Sequence, residues 1–202
     1  MKKMIIAMMA MALSVSTFGY GLGVSTHPLK DNQRAVTAEF NGIISNGKGV
    51  GMQARYTQKL SELVVVDGGF GFSDGDRANR MFINADYELY PDYIKQPRVS
   101  VRGTLERAKE FESSKSRIGI APTVSKGFNF WGKEAFPFAS LPLGLELNRD
   151  EKSYEIVSQL ALGITGNIPL RGYENILANL ETNLNISNGF SSVFFGLTLP
   201  IN

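Results

Sequence analysis

The sequence contains no cysteine. Disulfides, a lipid-bearing cysteine anchor, thiolate metal sites and a cysteine nucleophile are excluded with it. A single histidine, His27, is present, so neither a histidine-dependent triad nor a multi-histidine metal centre is expected. No catalytic residue, metal ligand or cofactor follows from any other pattern. Long apolar runs are missing too: beyond the N-terminal segment none reaches the length of a transmembrane helix.

An excess of charge of one sign is also lacking. The chain has 21 Lys+Arg against 19 Asp+Glu, and two of the cations, Lys2 and Lys3, open the sequence. They precede an apolar stretch from Met4 to Val15 interrupted only by Ser14, and the small residues Ser16, Thr17 and Gly19 follow. This order is that of a secretory signal peptide, residues 1–19, whose apolar run is too short to span a bilayer. Cleavage is expected after Gly19, with Ser16 and Gly21 as alternatives. Losing Lys2 and Lys3 leaves nineteen residues of each sign. No basic patch then remains to argue for a nucleic-acid partner.

Residues 20–33 read as an exposed lead-in, polar toward its end. From Arg34 the pattern has period two, which predicts β-strands. The expected strands are Arg34–Ile44, Lys48–Thr57, Glu62–Phe72, Ala78–Tyr90, Pro97–Arg107, Lys115–Ser125, Ala135–Leu147, Ser153–Thr165, Tyr173–Ile186 and Phe190–Leu199. Ten strands are counted, with eight as the fallback. Asn46-Gly47 and Asn188-Gly189 are strong hairpin signals, because a type I′ turn needs positive φ at both central residues. Most strands have about ten residues, the length a tilted strand needs to cross a bilayer. Pro137 and Pro142 inside the seventh demand an edge, a bulge or a bend.

The two faces differ in content. Val99, Val101, Gly103 and Leu105 alternate with Arg98, Ser100, Arg102, Thr104 and Glu106. Met81, Ile83, Ala85 and Tyr87 oppose Asn84, Asp86 and Glu88. Ile176, Ala178, Leu180 and Leu184 oppose Asn179, Glu181 and Asn183. A soluble barrel puts the apolar set inside, whereas a membrane barrel turns it toward lipid. The export signal and a polar face rich in Gly, Ala, Asn, Ser and Thr favour inversion. Aromatic placement does as well. Tyr56, Tyr90, Tyr93, Phe128, Phe130, Trp131, Phe136 and Tyr173 fall near one rim, and Phe70, Phe72, Phe111, Tyr154 and Phe190 near the other, as in aromatic girdles.

With these strands, Asn-Gly turns and aromatic rims, the chain resembles the small Gram-negative outer-membrane barrels of the OmpA, OmpX and OmpW kind, over nearly its whole length after the leader. The resemblance implies an all-β, single antiparallel up-and-down transmembrane barrel over residues 34–200. Its partners would be outer-membrane lipid and, during biogenesis, the barrel-insertion machinery. Enzymes among such barrels depend on histidine, and His27 alone does not supply their sites, so no enzymatic activity is expected. Two features depart from the resemblance. The chain ends Leu199-Pro200-Ile201-Asn202 without a terminal aromatic, and the longer connections fall on the assigned inner side, where a miscounted strand would swap the sides.

Folding neighbouring strands together places Asp86 near Arg102, Glu88 near Ser100 and Arg98, and Glu106 near Arg117. With Glu181 these residues form an expected lumen charge network, read either as a rigid polar plug or as the constriction of a narrow small-solute pore. Glu146 and Glu155 are expected to face each other, compensated by Arg149 and Lys152. Asp74-Gly75-Asp76, with Asp67 near it, reads as turn chemistry rather than a calcium loop. Gly68-Gly69-Phe70-Gly71 lies between strand patterns and is not a phosphate loop. The function expected is that of a non-enzymatic outer-membrane barrel. One rival is a soluble periplasmic barrel holding an apolar ligand among Val99, Val101, Leu160 and Leu162. The other is adhesion or recognition through surface loops.

Overall fold

The structure, a computed structural model, describes residues 21–45, 49–74, 77–110, 113–130, 132–148, 150, 152–169, 172–173 and 175–201. The expected leader therefore lies outside the described residues, as do Trp131, Phe111 and Arg149. A 3₁₀ turn, Gly23–Thr26, precedes twelve strands. These are β1 (Arg34–Ser45), β2 (Val50–Lys59), β3 (Val64–Ser73), β4 (Arg77–Tyr90), β5 (Arg98–Glu110), β6 (Ser113–Ser125), β7 (Phe128–Phe130), β8 (Lys133–Ser140), β9 (Leu143–Asn148), β10 (Ser153–Asn167), β11 (Leu177–Ser187) and β12 (Ser191–Ile201).

The twelve make ten staves. β8 and β9 both pair with β6 on one side and with β10 on the other, in one continuous register. They are a single stave interrupted at Leu141-Pro142, where Pro142 cannot donate to the ladder. Gln159 N and Leu141 N instead donate to the carbonyls of Pro142 and Pro122, both at 3.0 Å. Pro137 stays inside β8 opposite Ile164. The short β7 pairs only with β8 and lengthens that hairpin beyond the wall. All neighbouring staves run antiparallel, and β1 pairs with β12 from Arg34↔Ile201 to Ser45↔Ser191, which closes the barrel. Closure leaves no row of unpaired N–H and C=O groups among the ten staves.

The strand count of ten stands, and no strand was miscounted. The chain enters β1 and leaves β12 at the same end. At that end lie the connections between β2 and β3, β4 and β5, β6 and β8, and β10 and β11, including the β7–β8 extension. At the far end the connections are short.

Burial alternates residue by residue, most clearly in β2 and β12. The sense of the alternation is inverted relative to a water-soluble domain. Met81, Ile83, Leu105, Ile118, Tyr154 and Leu180 are among many exposed large apolar side chains, Met81 at 67 % and Tyr154 at 74 %. Thr37, Glu39, Arg55, Asp67, Asp86, Arg102, Asn179, Glu181 and Asn183 are buried inside. Val99 and Val101 alternate with buried Arg98, Ser100 and Arg102, and Leu162 is exposed beside buried Ala161. Val99, Val101 and Leu162 therefore do not form the apolar centre that a soluble ligand-binding barrel would require. The exterior carries a shallow apolar groove of about 1120 Å³, lined by Tyr56, Phe70, Met81, Ile83, Leu105 and Ile118 among others.

Tyr56, Tyr90, Tyr93, Phe128, Phe130 and Tyr173 are exposed at the termini end, and Phe70, Phe72 and Tyr154 at the other. Two expected girdle members are corrected. Phe136 and Phe190 are buried, because both turn into the barrel, where Phe136 meets the edge of His27 at 5.2 Å.

Candidate functional site in the barrel lumen

Inward parity collects the ionisable side chains of seven staves in three groups. The central group begins on β1, β2 and β3. Arg55 reaches Glu39 and Asp67, each at 3.2 Å. Asp67 also accepts from Asn84 at 2.6 Å and pairs with Arg102, whose side chain is fully buried. Glu39 accepts from Gln53 as well. Two carboxylates and two guanidiniums thus interlock across four staves, which satisfies charges whose isolated burial would cost several kcal/mol each.

The second group is Arg98 with Asp86 at 2.6 Å and Glu88 at 2.5 Å. In the third, Arg80 lies 3.3 Å from Glu106, and Arg117 lies 4.0 Å from Glu106 while pairing closely with Glu146. Lys115 reaches Glu146 at 2.7 Å. The ring of Phe82 sits between the guanidiniums of Arg55 and Arg80, each 5.0 Å from its centroid.

All seven residues expected in the network face inward: Asp86, Glu88, Arg98, Arg102, Glu106, Arg117 and Glu181. The backbone register also sets Asp86 opposite Arg102 and Glu106 opposite Arg117. Glu88 pairs with Arg98 and Glu106 with Arg117 as expected, but the Asp86–Arg102 pairing does not form. Arg102 serves Asp67 rather than Asp86, and Arg98 takes Asp86, because long side chains reach diagonally across the ladder. Glu39, Arg55, Asp67, Arg80 and Glu146 were missed. The parity of β1 to β3 carried the signal, since Glu39, Gln53, Arg55 and Asp67 all fall on the polar face of alternating strands. Asp67 belongs to this network and not to the turn at Asp74. Glu146 and Glu155 do stand opposite each other in the ladder, but Glu155 is exposed. Glu146 is compensated from β6, by Lys115 and Arg117; the expected partner Arg149 lies outside the described residues.

The largest departure concerns the N-terminal segment. Residues 21–26, expected to be exposed, fold back into the lumen; Gly21, Leu22, Gly23, Ser25 and Thr26 are buried. Leu22, 1 % exposed, packs against Ala121, Phe138 and Ala161 of β6, β8 and β10. Its carbonyl accepts from Arg55 at 3.2 Å and from Arg102, and its N–H donates to Glu181 of β11 at 2.8 Å. One residue is thereby gripped by six staves. Arg55 also donates to the Gly21 carbonyl at 2.7 Å, Arg102 to Ser25 Oγ at 2.9 Å, and Thr26 to Thr165 at 3.2 Å.

Glycine is required at position 23. Its φ of +65° lies in the left-handed region, and an added Cβ would fall 2.7 Å from Arg55 Nη1. Period-two reading could not find this segment, which has no alternation and whose contacts with the wall are all made to residues distant in sequence. His27 follows it, with burial holding its pKa down from 6.5 to about 4.

At the termini-end rim, Asp92 ties two connections together. It pairs with Lys126 and accepts from Gly127 N at 2.6 Å. Burial pushes the Asp92 carboxyl up, but the Lys126 hydrogen bond, the Gly127 amide and the Lys126 charge outweigh it, leaving a pKa below the ordinary value.

No protein-family model matches the sequence, and no curated protein does. Among solved structures, the chain is similar to a protein described as "De novo design of transmembrane beta-barrels", at 14% identity and a TM-score of 0.42, over 86% of this chain and 98% of that one. It is also similar to the KdgM porin, at 11% identity and a TM-score of 0.36 over 84% and 99%. A further similar structure is the KdgM porin in complex with disordered oligogalacturonate, at 12% identity and a TM-score of 0.36 over 84% and 99%.

Proposed function

We propose that this chain is an integral β-barrel of a bacterial outer membrane, non-enzymatic and of the small OmpA, OmpX and OmpW-like size class, whose lumen is sealed rather than open. The membrane part of this reading rests on the inverted barrel. An exterior of Ile, Leu, Met and aromatic side chains is unfavourable in water, and a closed barrel satisfies its backbone without water, as lipid demands. Acyl chains would fill the groove between Tyr56 and Ile118. The insertion machinery would be its partner in biogenesis.

The observation that carries the sealed lumen is the burial of Leu22 between Arg55, Arg102 and Glu181. In an open pore these three residues would line a wet constriction. Here they hold a backbone segment of the same chain, so the barrel acts as a structural wall element. Planar-bilayer recording tests this reading. The full-length protein is expected to give no stable conductance, and a variant lacking residues 21–27 is expected to give conductance that changes on Arg102→Ala. Stable conductance from the unaltered protein would replace the sealed barrel with a narrow small-solute pore.

A further inference from the structure

The lumen's charges do not balance. With the half-buried Glu88, Lys115 and Arg117 included, the ion network among the described residues holds seven carboxylates, Glu39, Asp67, Asp86, Glu88, Glu106, Glu146 and Glu181, against six cations. The central group of Glu39, Asp67, Arg55 and Arg102 is neutral. The group around Arg98 carries one excess negative charge, and the group around Arg80, Lys115 and Arg117 one excess positive charge, so these two offset. The carboxylate left over is Glu181.

Glu181 is 1 % exposed, and no side-chain cation of the described residues lies within ion-pair distance of it. Its hydrogen-bond donors are Asn183 Nδ2 at 3.1 Å and the Leu22 backbone nitrogen at 2.8 Å. Oε1 of the neighbouring Glu39 has no hydrogen-bond partner. Arg55 attracts Glu181 from beyond ion-pair distance, but that guanidinium is already shared by Glu39 and Asp67, and a buried carboxylate without a close counter-charge of its own is unfavourable by several kcal/mol. A cation on the Leu22 nitrogen would supply it.

We propose that leader removal cuts the Gly21–Leu22 bond, and that the resulting α-ammonium of Leu22 is the counter-ion of Glu181. The inference rests on the sealed-lumen reading. Water adds across the amide, Gly21 departs with the new carboxylate, and the Leu22 nitrogen takes up protons to become the ammonium. A signal endopeptidase supplies this reaction. It favours small residues at the positions one and three before the cut, which here are Gly21 and Gly19. The ammonium has three donors for Glu181, which the amide meets with one. Arg55 loses the Gly21 carbonyl but keeps Glu39 and the Leu22 carbonyl. Processing at Gly21 therefore neutralises the lumen and locks the segment that fills it, while an unprocessed chain keeps a buried excess charge.

Intact-mass measurement and N-terminal sequencing of the protein purified from outer membranes test the cut. The expected first residue is Leu22. A chain beginning at Tyr20 or Thr17, or one retaining Met1, overturns the proposal. Amine acylation tests the ion pair. In the folded barrel the α-amine is expected to react at least tenfold more slowly than after denaturation, and Glu181→Gln is expected to abolish most of that protection. Equal rates in folded and denatured protein overturn the pairing. Maleimide labelling of the Ser25→Cys variant separates failure of the cut from failure of the seal. A protected thiol in that variant, together with a different first residue, defeats this inference alone, whereas a freely reactive thiol defeats the sealed lumen as well.

Discussion

Asp67 holds two guanidiniums at once, Arg55 at 3.2 Å from β2 and Arg102 from β5, although β5 is separated from β3 by a whole stave. Removing this carboxylate strands the buried Arg102 and leaves Arg55 with Glu39 as its one ion-pair partner. Asp67→Ala is expected to destabilise the barrel by about 3–5 kcal/mol, the range for breaking a buried pair by deleting one partner. The shift of the heat-modifiable band on gels to lower temperature, together with the urea unfolding midpoint, reads it out. An unchanged midpoint would mean that the central ion group is not closed as described.

The outward set makes a prediction of opposite sign to that for a soluble protein. Ile83→Lys places a charge on the outer face near the middle of β4. In lipid this is expected to cost about 2–4 kcal/mol, measured by unfolding from bilayers. In water an exposed isoleucine replaced by lysine would be neutral or helpful. A neutral result would remove the lipid-facing assignment.

The N-terminal segment is expected to respond to acid through His27. Its folded-state pKa is held to about 4 against 6.5 for the free side chain. A depressed pKa contributes stability that is present above the unfolded value and is lost as pH falls through the folded one. Seating of residues 21–27 is therefore expected to weaken between pH about 6.5 and about 4, by on the order of 2–3 kcal/mol at the lower limit. Maleimide accessibility of Ser25→Cys against pH measures it. His27→Phe, which keeps the aromatic contact with Phe136, is expected to flatten the profile.

Glycine at position 23 offers a further check. Gly23→Val meets both the left-handed backbone and the Arg55 guanidinium, and is expected to unseat the segment while leaving the ten staves intact. Bilayer conductance should then appear with heat-modifiable migration preserved. Silence with a preserved barrel would show that the staves alone close the lumen.

The staves were legible because period-two alternation is local. Ile83 and Asp86 announce opposite faces within four residues, and the turn at Asn188-Gly189 joins β11 to β12, whereas Asn46-Gly47 lies outside the described residues. Inversion was legible from content, since Arg102 and Glu106 share a face with Ser100 and Thr104. The pairing of charges was not. The register correctly sets Asp86 opposite Arg102, but guanidiniums span more than one ladder position, so Arg102 finds Asp67 instead. Leu22 was illegible for a different reason. Its neighbours, Ala121, Phe138, Ala161 and Glu181, are about a hundred or more residues away in sequence, and no repeat announces such contacts.

The wall is sealed where β1 meets β12, so its first and last staves are each other's neighbours. Nine staves cannot satisfy their margins by themselves: until Ser191–Ile201 arrives, β1 and β11 each present an open flank to the acyl phase. The β1–β12 pairing is therefore what closes the wall. A truncation just before Ser191 should give an adhesive, unclosed ribbon rather than a smaller cylinder, since the missing piece is the latch and not merely one tenth of the wall.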